Sequence, residues 1–254
     1  MAKKAILMAG GFGTRLGALT KHGICKVMLP VYDRPMISYP ISTLVKGGIT
    51  DIRVALNGRN PQLIMDFLQD GSAHGCQISY TYHAEVFDSP VQHFLSSENW
   101  VASEDVVIML GDSFFRFPIN FGKEAAPHIW TMPLDGMDDP SKYGQVQVQG
   151  NRVTHLVEKP KTQFSNLIAT GCWDFPGDVF DRARQLAATS KTLQFGDLSQ
   201  EYVKEGKMTH TLMPPESYLD LGTPTSLYAA TVIIARERGI AMLAKNNRGG
   251  NQPA

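Results

Sequence analysis

The stretch Ala5-Ile-Leu-Met-Ala-Gly-Gly-Phe-Gly-Thr-Arg-Leu16 decides the fold of this 254-residue chain. Ala5–Met8 is an apolar run too short for a helix, and it runs into glycines, so it reads as a buried strand feeding a loop. Ala9, Gly10, Gly11, Gly13 and Thr14 form that loop. Its glycines let the backbone approach a polyphosphate closely and turn several N–H groups toward it. Arg15 adds a planar, permanently charged fork suited to phosphate oxygens, and Lys26 adds a mobile point charge. No Gly-Lys-Ser/Thr follows, so this is not a P-loop. Leu16 stands where a dinucleotide fingerprint needs its third glycine, which argues against a NAD-dependent oxidoreductase. On the glycines alone, a tight turn after an edge strand is the competing reading; Arg15 and Lys26 favour phosphate.

Outward from the loop, strand and helix signals alternate. Pro35 opens a helical stretch, Met36–Lys46, that Gly47-Gly48 ends, and Ile52–Leu56 reads as a strand. Asn60-Pro61 caps and starts a helix over Gln62–Gln69. Ile78–Tyr82 is a strand, Pro90–Trp100 a helix, and Val106–Leu110 a strand of five apolar residues, as expected where both faces are covered. The repetition predicts an α/β fold, a three-layer α/β/α arrangement with a Rossmann-like, mainly parallel sheet that becomes mixed. The second half supplies the mixture. Gln145–Gln149 and Arg152–Glu158 flank a Gly150-Asn151 turn as a hairpin, and Ile168–Phe175 is a further strand. Helices are predicted over Gly177–Ala188 and Leu198–Glu205, and from Pro224 to about Lys245. The expectation is one domain over residues 1–245, with a nucleotide-binding half over about 1–115, a second half over about 116–245, and a frayed tail at 246–254.

Composition narrows the function. Apolar residues are 43% and charged residues 19% of the chain, enough for a substantial core. Lys plus Arg and Asp plus Glu are 24 each, so bulk electrostatics hold neither nucleic acid nor an anionic membrane. Phosphate binding must therefore be local. Cys25, Cys76 and Cys172 lack metal-ligand spacing and read as free thiols of a reducing compartment. No run is long enough for a signal or a membrane span, so a cytoplasmic location is expected.

Asp112 directly follows the strand Val106–Leu110, and ligands of open α/β sheets bind beyond the carboxyl ends of strands. Glu158 and Lys159 end the second hairpin strand, where a carboxylate can accept from sugar hydroxyls and an ammonium can neutralise a phosphate.

Gly10–Leu16, Leu19-Thr-Lys21, Lys26, Met28-Leu-Pro-Val31 and Arg34-Pro-Met-Ile37 together resemble the signature of the sugar-phosphate nucleotidylyltransferases, and within that family the glucose-1-phosphate thymidylyltransferases. Gly71-Ser72, Leu110-Gly-Asp-Ser113, Asp139-Pro-Ser-Lys-Tyr-Gly144, Glu158-Lys-Pro160, Thr170-Gly171 and Tyr218-Leu-Asp-Leu-Gly-Thr223 extend it in the family's order over nearly the whole chain. The resemblance implies the nucleotide-diphospho-sugar transferase type of fold and condensation of a nucleoside triphosphate with a sugar 1-phosphate. It implies dTTP, with UTP as an alternative, and glucose 1-phosphate. It implies Arg15, Lys26 and Asp112 as catalytic residues, and Mg²⁺ held by Asp112 and Asp220. Gly144, Glu158, Lys159, Gly171 and Tyr218 fall to the sugar phosphate by the same resemblance. Tyr218 and Trp173 read equally as pocket walls or as core.

The chain also departs from the family. His83 stands where relatives place a glutamine that reads the nucleobase, and Ser89-Pro90 replaces a Gly-Leu pair; both are assigned to the nucleotide. These departures leave open a cytidylyl- or guanylyltransferase acting on another phosphorylated or phosphonylated molecule. A non-catalytic sugar-nucleotide-binding regulatory domain is the reading of another class. The longer thymidylyltransferases carry a C-terminal helical segment tied to tetramer assembly and feedback control. Its lack here leads us to expect a homo-oligomer, a dimer, without that control.

Overall fold

A run of consecutive apolar residues in a strand must be covered on both faces, and Ala5–Met8 of β1 (Lys4–Met8) is such a run. In the computed structural model, which describes residues 3–11, 13–21, 23–57, 60–83, 89–134 and 139–239, it lies inside a nine-stranded sheet. Ala5 and Leu7 enter one core cluster, while Ile6 and Met8 enter another on the opposite face. Both clusters consist of buried side chains, and each fully buried Ile or Leu contributes about 1.5–3 kcal/mol.

After β1 come two short strands, β2 (Pro30–Val31) and β3 (Arg34–Pro35), and the helix α1 (Ser38–Lys46). Next are β4 (Asp51–Asn57), α2 (Pro61–Leu68) and β5 (Gln77–His83). Pro61 occupies the first turn of α2, where its missing N–H costs nothing. Asn60 does not cap that helix as expected: its backbone is left-handed at φ 47°, and its amide donates to the Gly23 carbonyl. The helix expected over Pro90–Trp100 is two pieces, α3 (Pro90–Leu95) and α4 (Glu98–Val101). Ser96 Oγ donates to the His93 carbonyl at 2.6 Å, a side-chain bond that competes with continuation of the helix. Then β6 (Val106–Leu110) pairs in parallel with β1, so β5-β4-β1-β6 is the parallel quartet that the first half implied.

From β6 onward the sheet is mixed. The elements are β7 (Ser113–Phe115), β8 (His128–Pro133), β9 (Gln145–Gln149), β10 (Arg152–Val157) and β11 (Leu167–Phe175). They are followed by α5 (Val179–Ala187), α6 (Phe195–Lys204), β12 (Thr209–Leu212), β13 (Tyr218–Asp220) and α7 (Pro224–Glu237). The sheet runs β5-β4-β1-β6-β11-β8-β12-β10-β9, with β11 antiparallel to β6 and thereby joining the two halves. The hairpin β9–β10 turns at Gly150 as read. Four strands after β6 were not foreseen: β7, β8, β12 and β13. The three-residue strands β7 and β13 form a separate antiparallel pair above the sheet. Thr223 caps α7 through Ser226, and the helix is followed to Glu237. The expected continuation to Lys245 and the tail at 246–254 lie outside the described residues. Among the described residues, no helix is long and apolar enough to cross a membrane.

Candidate active site

The register of the small β7–β13 pair builds the site. Asp220 stands opposite Ser113, and one residue further on the Leu221 N–H donates to the Asp112 carbonyl at 2.9 Å. Two aspartates distant in sequence are thereby brought beside one another at the carboxyl end of β6, close enough for each to act on the other's charge. Lys26 comes to the same point from a helical turn, Lys26–Met28, itself pinned by Ile37 N–H on the Val27 carbonyl. Its ammonium forms an ion pair with Asp112 Oδ2, and Lys26 is only 8% exposed. Arg15 Nη2 lies 3.0 Å from Asp220 Oδ2. The structure thus gathers Arg15, Lys26, Asp112 and Asp220, all four expected from sequence.

Charge divides the two carboxyls. Burial pushes Asp112 up, but the Lys26 ammonium and the hydrogen bonds from Lys26 and Asp220 outweigh it and hold Asp112 below the usual range. For Asp220, burial and the neighbouring Asp112 outweigh Lys26 and Arg15, and its acid is weakened. Asp220 Oδ1 is buried with no hydrogen-bond partner among the described residues. No group of three or more His, Cys, Asp or Glu gathers among the described residues. That donor set does not form a closed protein cage. It fits Mg²⁺, which takes one or two carboxylates and fills its other positions with water and phosphate oxygens.

The glycine loop lies against these residues. Gly13, at φ 64°, is left-handed and starts the helical turn Thr14–Leu19, where a side chain would be strained. Thr20 Oγ1 fastens the Gly13 carbonyl at 2.8 Å, and Asn57 Nδ2 fastens the Gly10 carbonyl. Gly11, Thr14 and Arg15 are exposed at the rim. The Ala9 N–H donates to the Ala55 carbonyl at 2.9 Å, so Ala9 extends the β1 ladder and offers no free donor to a nucleotide. A cavity of about 310 Å³ is lined by Gly10, Gly11, Lys26, Asn57, Leu110 and Asp112, together with Met8, Val27, Pro90 and His93. A larger cavity of about 380 Å³, lined by Arg34, Lys46, Arg116 and Arg238 among others, shares no residue with the loop. The convergence of loop, cations and carboxylates marks the smaller cavity as the candidate site.

One residue assigned to the nucleobase is placed differently from expectation. Ser89 is fully buried: its hydroxyl donates to the Leu193 carbonyl at 2.8 Å and accepts from Gln92 N–H, capping α3. Its side chain is a cap and not a base contact. His83 ends β5 and stacks edge-on against His93, with ring centroids 5.2 Å apart, and it is His93 that lines the cavity. Residues 84–88 of the base-reading segment lie outside the described residues.

The sugar-phosphate candidates follow β11. The Ala169 N–H donates to the Gly144 carbonyl at 2.8 Å, and a Cβ on Gly144 would sit 3.0 Å from Glu158 Oε2, so this glycine leaves room for Glu158. Burial weakens the Glu158 acid, with Lys159 opposing; Lys159 Nζ lies 3.5 Å from Glu158 Oε1 and is more than half exposed. Between Ala169 and Trp173 the register of β11 against β8 shifts, a bulge that carries Gly171 toward the site. A Cβ there would meet Ser113 Oγ and lie 2.8 Å from the Tyr218 hydroxyl. Tyr218 itself is 2% exposed and packs on Phe115, so it is core rather than an open pocket wall. Burial, with Asp220 and Asp112 near, pushes its phenol well above the usual value. Trp173 is also core, packed on Phe195. Sequence reading missed Asn57, His93, Ser113 and Tyr143, the last in electrostatic contact with Arg15 and Tyr218. Asn57 had a signal, since it ends a parallel strand at the ligand-binding edge.

Comparison with known proteins places the chain in a family. The family model described as nucleotidyl transferase matches residues 4–237. A glucose-1-phosphate thymidylyltransferase of Neisseria meningitidis is 32% identical over 247 residues, covering 94% of this chain and 85% of the relative. That of Mycolicibacterium smegmatis is 32% identical over 234 residues, covering 90% and 81%. A crystal structure from Bacillus anthracis, assigned as a glucose-1-phosphate thymidylyltransferase in complex with a sucrose, superposes with a TM-score of 0.82 at 27% identity, covering 91% of this chain and 95% of that one. An apo UDP-glucose pyrophosphorylase, at 20% identity and a TM-score of 0.77 over 94% of this chain and 100% of its own, shares the fold.

Proposed function

Because this chain belongs to the nucleotidyl transferase family, we propose that it condenses a nucleoside triphosphate with a sugar 1-phosphate to give a nucleotide sugar and pyrophosphate. We further propose dTTP and glucose 1-phosphate as the pair, with UTP as the alternative nucleotide. The observation that carries the reading is the meeting of Arg15 and Lys26 with Asp112 and Asp220 beside the glycine loop.

The reaction is an in-line displacement. A phosphate oxygen of the sugar 1-phosphate attacks the α-phosphorus; the bond from that phosphorus to the β-bridging oxygen breaks, and its electron pair leaves with pyrophosphate. The nucleophile is already ionised, so no general base is required. The obstacle is repulsion between anions: two unit charges about 4 Å apart repel by roughly 4 kcal/mol at an effective dielectric near 20, and each reactant carries more than one charge. Arg15 and Lys26 bring fixed positive charge to the triphosphate, and Lys159, beside Glu158, brings it to the sugar phosphate. Catalysis is then positioning plus charge stabilisation. Asp112 and Asp220 would hold Mg²⁺, which when bound supplies further positive charge to the phosphate oxygens. We place the reaction in the cytoplasm, in keeping with the three free thiols.

The test is a pyrophosphate-release screen of each nucleoside triphosphate crossed with common sugar 1-phosphates, with and without Mg²⁺. The expected result is metal-dependent release that is fastest with dTTP and glucose 1-phosphate. Release with none of the pairs would overturn the transferase reading.

A further inference from the structure

His93 is 95% buried by its 5% exposure, yet it lines the cavity beside the glycine loop. The other polar side chains of that cavity have partners: Lys26 pairs with Asp112, and Asn57 Nδ2 donates to the Gly10 carbonyl. His93 differs. The Leu56 carbonyl acts on its ring as a backbone acceptor, and Nε2 has no partner among the described residues, which leaves Nδ1 as the nitrogen facing that carbonyl. The carbonyl is an acceptor, so the proton of a neutral ring sits on the nitrogen facing Leu56, and Nε2 presents its lone pair. Burial first, and His83 second, keep the ring neutral by lowering its pKa to about 4. The T-shaped contact with His83 holds the imidazole in that orientation.

A buried acceptor left unmade is costly, so one that lines a ligand cavity and lacks a protein donor is matched by a ligand donor. Phosphates have none to offer at neutral pH. The nucleoside has two kinds: the N–H groups of its base and the hydroxyls of its sugar.

We propose that His93 is a specificity-determining residue of the nucleotide site, whose Nε2 accepts a hydrogen bond from a donor on the nucleoside of the bound triphosphate. This rests on reading the cavity as the triphosphate site. It moves the nucleoside contact from Ser89, whose hydroxyl is engaged elsewhere, to the next turn of the same helix α3.

The test is calorimetric binding of dTTP, without sugar phosphate, to the full chain and to His93→Ala, His93→Phe and His93→Gln, with thermal melts to check folding. Ala and Phe remove the acceptor, and Phe keeps most of the ring volume should Ala collapse the site. Both are expected to weaken dTTP about tenfold, the usual worth of such a bond, and Gln to restore part of it through its amide oxygen. In turnover the loss falls on KM more than on kcat. The N3-methyl and 3′-deoxy analogues of dTTP separate base from sugar as the donor. Wild type loses about tenfold with one of them, and the Ala variant no longer distinguishes that analogue from dTTP. Equal binding of dTTP to wild type and to folded Ala and Phe variants overturns the proposal, as does wild type binding both analogues like dTTP. If dTTP binds but no pair releases pyrophosphate, the transferase reading fails while the contact stands. If no nucleotide binds at all, both fail.

Discussion

Arg15 Nη2 donates to Asp220 Oδ2 at 3.0 Å, so a cation suited to phosphate rests on a carboxylate suited to a metal. The arginine side chain is 42% exposed and the aspartate's 13%, so the cation's end of the pair is open to solvent and its loss removes little packing. Arg15→Ala is therefore expected to leave the melting temperature within a few degrees of wild type while slowing pyrophosphate release about 10²–10³-fold, the usual cost of one charge-stabilising donor. Asp112→Asn should slow it comparably. Near-normal turnover in either variant removes that residue from the site.

Lys26 behaves differently because its ion pair with Asp112 is buried, with side chains 10% and 13% exposed. Removing one partner of a buried pair strands the other charge, at about 3–5 kcal/mol. Lys26→Met should thus lose both activity and stability, whereas Lys26→Met with Asp112→Asn recovers most of the stability and none of the activity. Urea titrations of the single and double variants, set beside their turnover, measure this. A double variant as unstable as the single one contradicts the charge argument.

The bulge at Gly171 gives a steric prediction. A Cβ there would crowd the hydroxyls of two buried residues, Ser113 and Tyr218. Gly171→Ala is expected to destabilise the protein by about 1–3 kcal/mol, as overpacking does. Displacement of Ser113 and Tyr218 beside the aspartates should also raise the KM for the sugar 1-phosphate. Unchanged stability would mean that the bulge can relax.

What the sequence made legible follows from how local each signal is. β1 and β6 carry continuous apolar runs, and β4 and β5 carry β-branched, aliphatic and aromatic residues between turn signals, so the expected bounds of all four lie within a residue of the observed ones. The strands β7 and β13 are three residues each and exist only because they pair with one another, so no local pattern marks them. That long-range pairing is also what joins Asp112 to Asp220. Motif order found both aspartates, but their contact depends on register. Ser89 was misplaced for a related reason. A Ser-Pro before a helix signals a cap as strongly as a departure from a motif, and the cap is what formed. His93 gave no signal, since one histidine on a short helix does not show which way its ring turns.

Asp174 and His128 are register partners on β11 and β8, and their pKa values move in opposite senses. Burial, with His210 and Lys3 assisting, lowers His128 from 6.5 to about 4. Its contribution to stability is full above the unfolded value of about 6.5 and is lost as the pH falls toward 4. Burial raises Asp174 from 3.8 to about 6 against the opposing Lys3. Its contribution is full below the unfolded value and is lost as the pH rises through 6. Between pH 4 and 6 the two slopes oppose. Each shift spans about two pH units, or about 3 kcal/mol by the usual conversion. Asp174→Asn should therefore lose stability on acidification more steeply than wild type, by about 2–3 kcal/mol between pH 7 and 4. His128→Gln should lose it less steeply by a similar amount. His93, also lowered to about 4, is present in both variants and cancels from each difference. Urea denaturation at pH 4.5, 6 and 7.5 measures the three curves, and parallel curves would show that neither group titrates differently on folding.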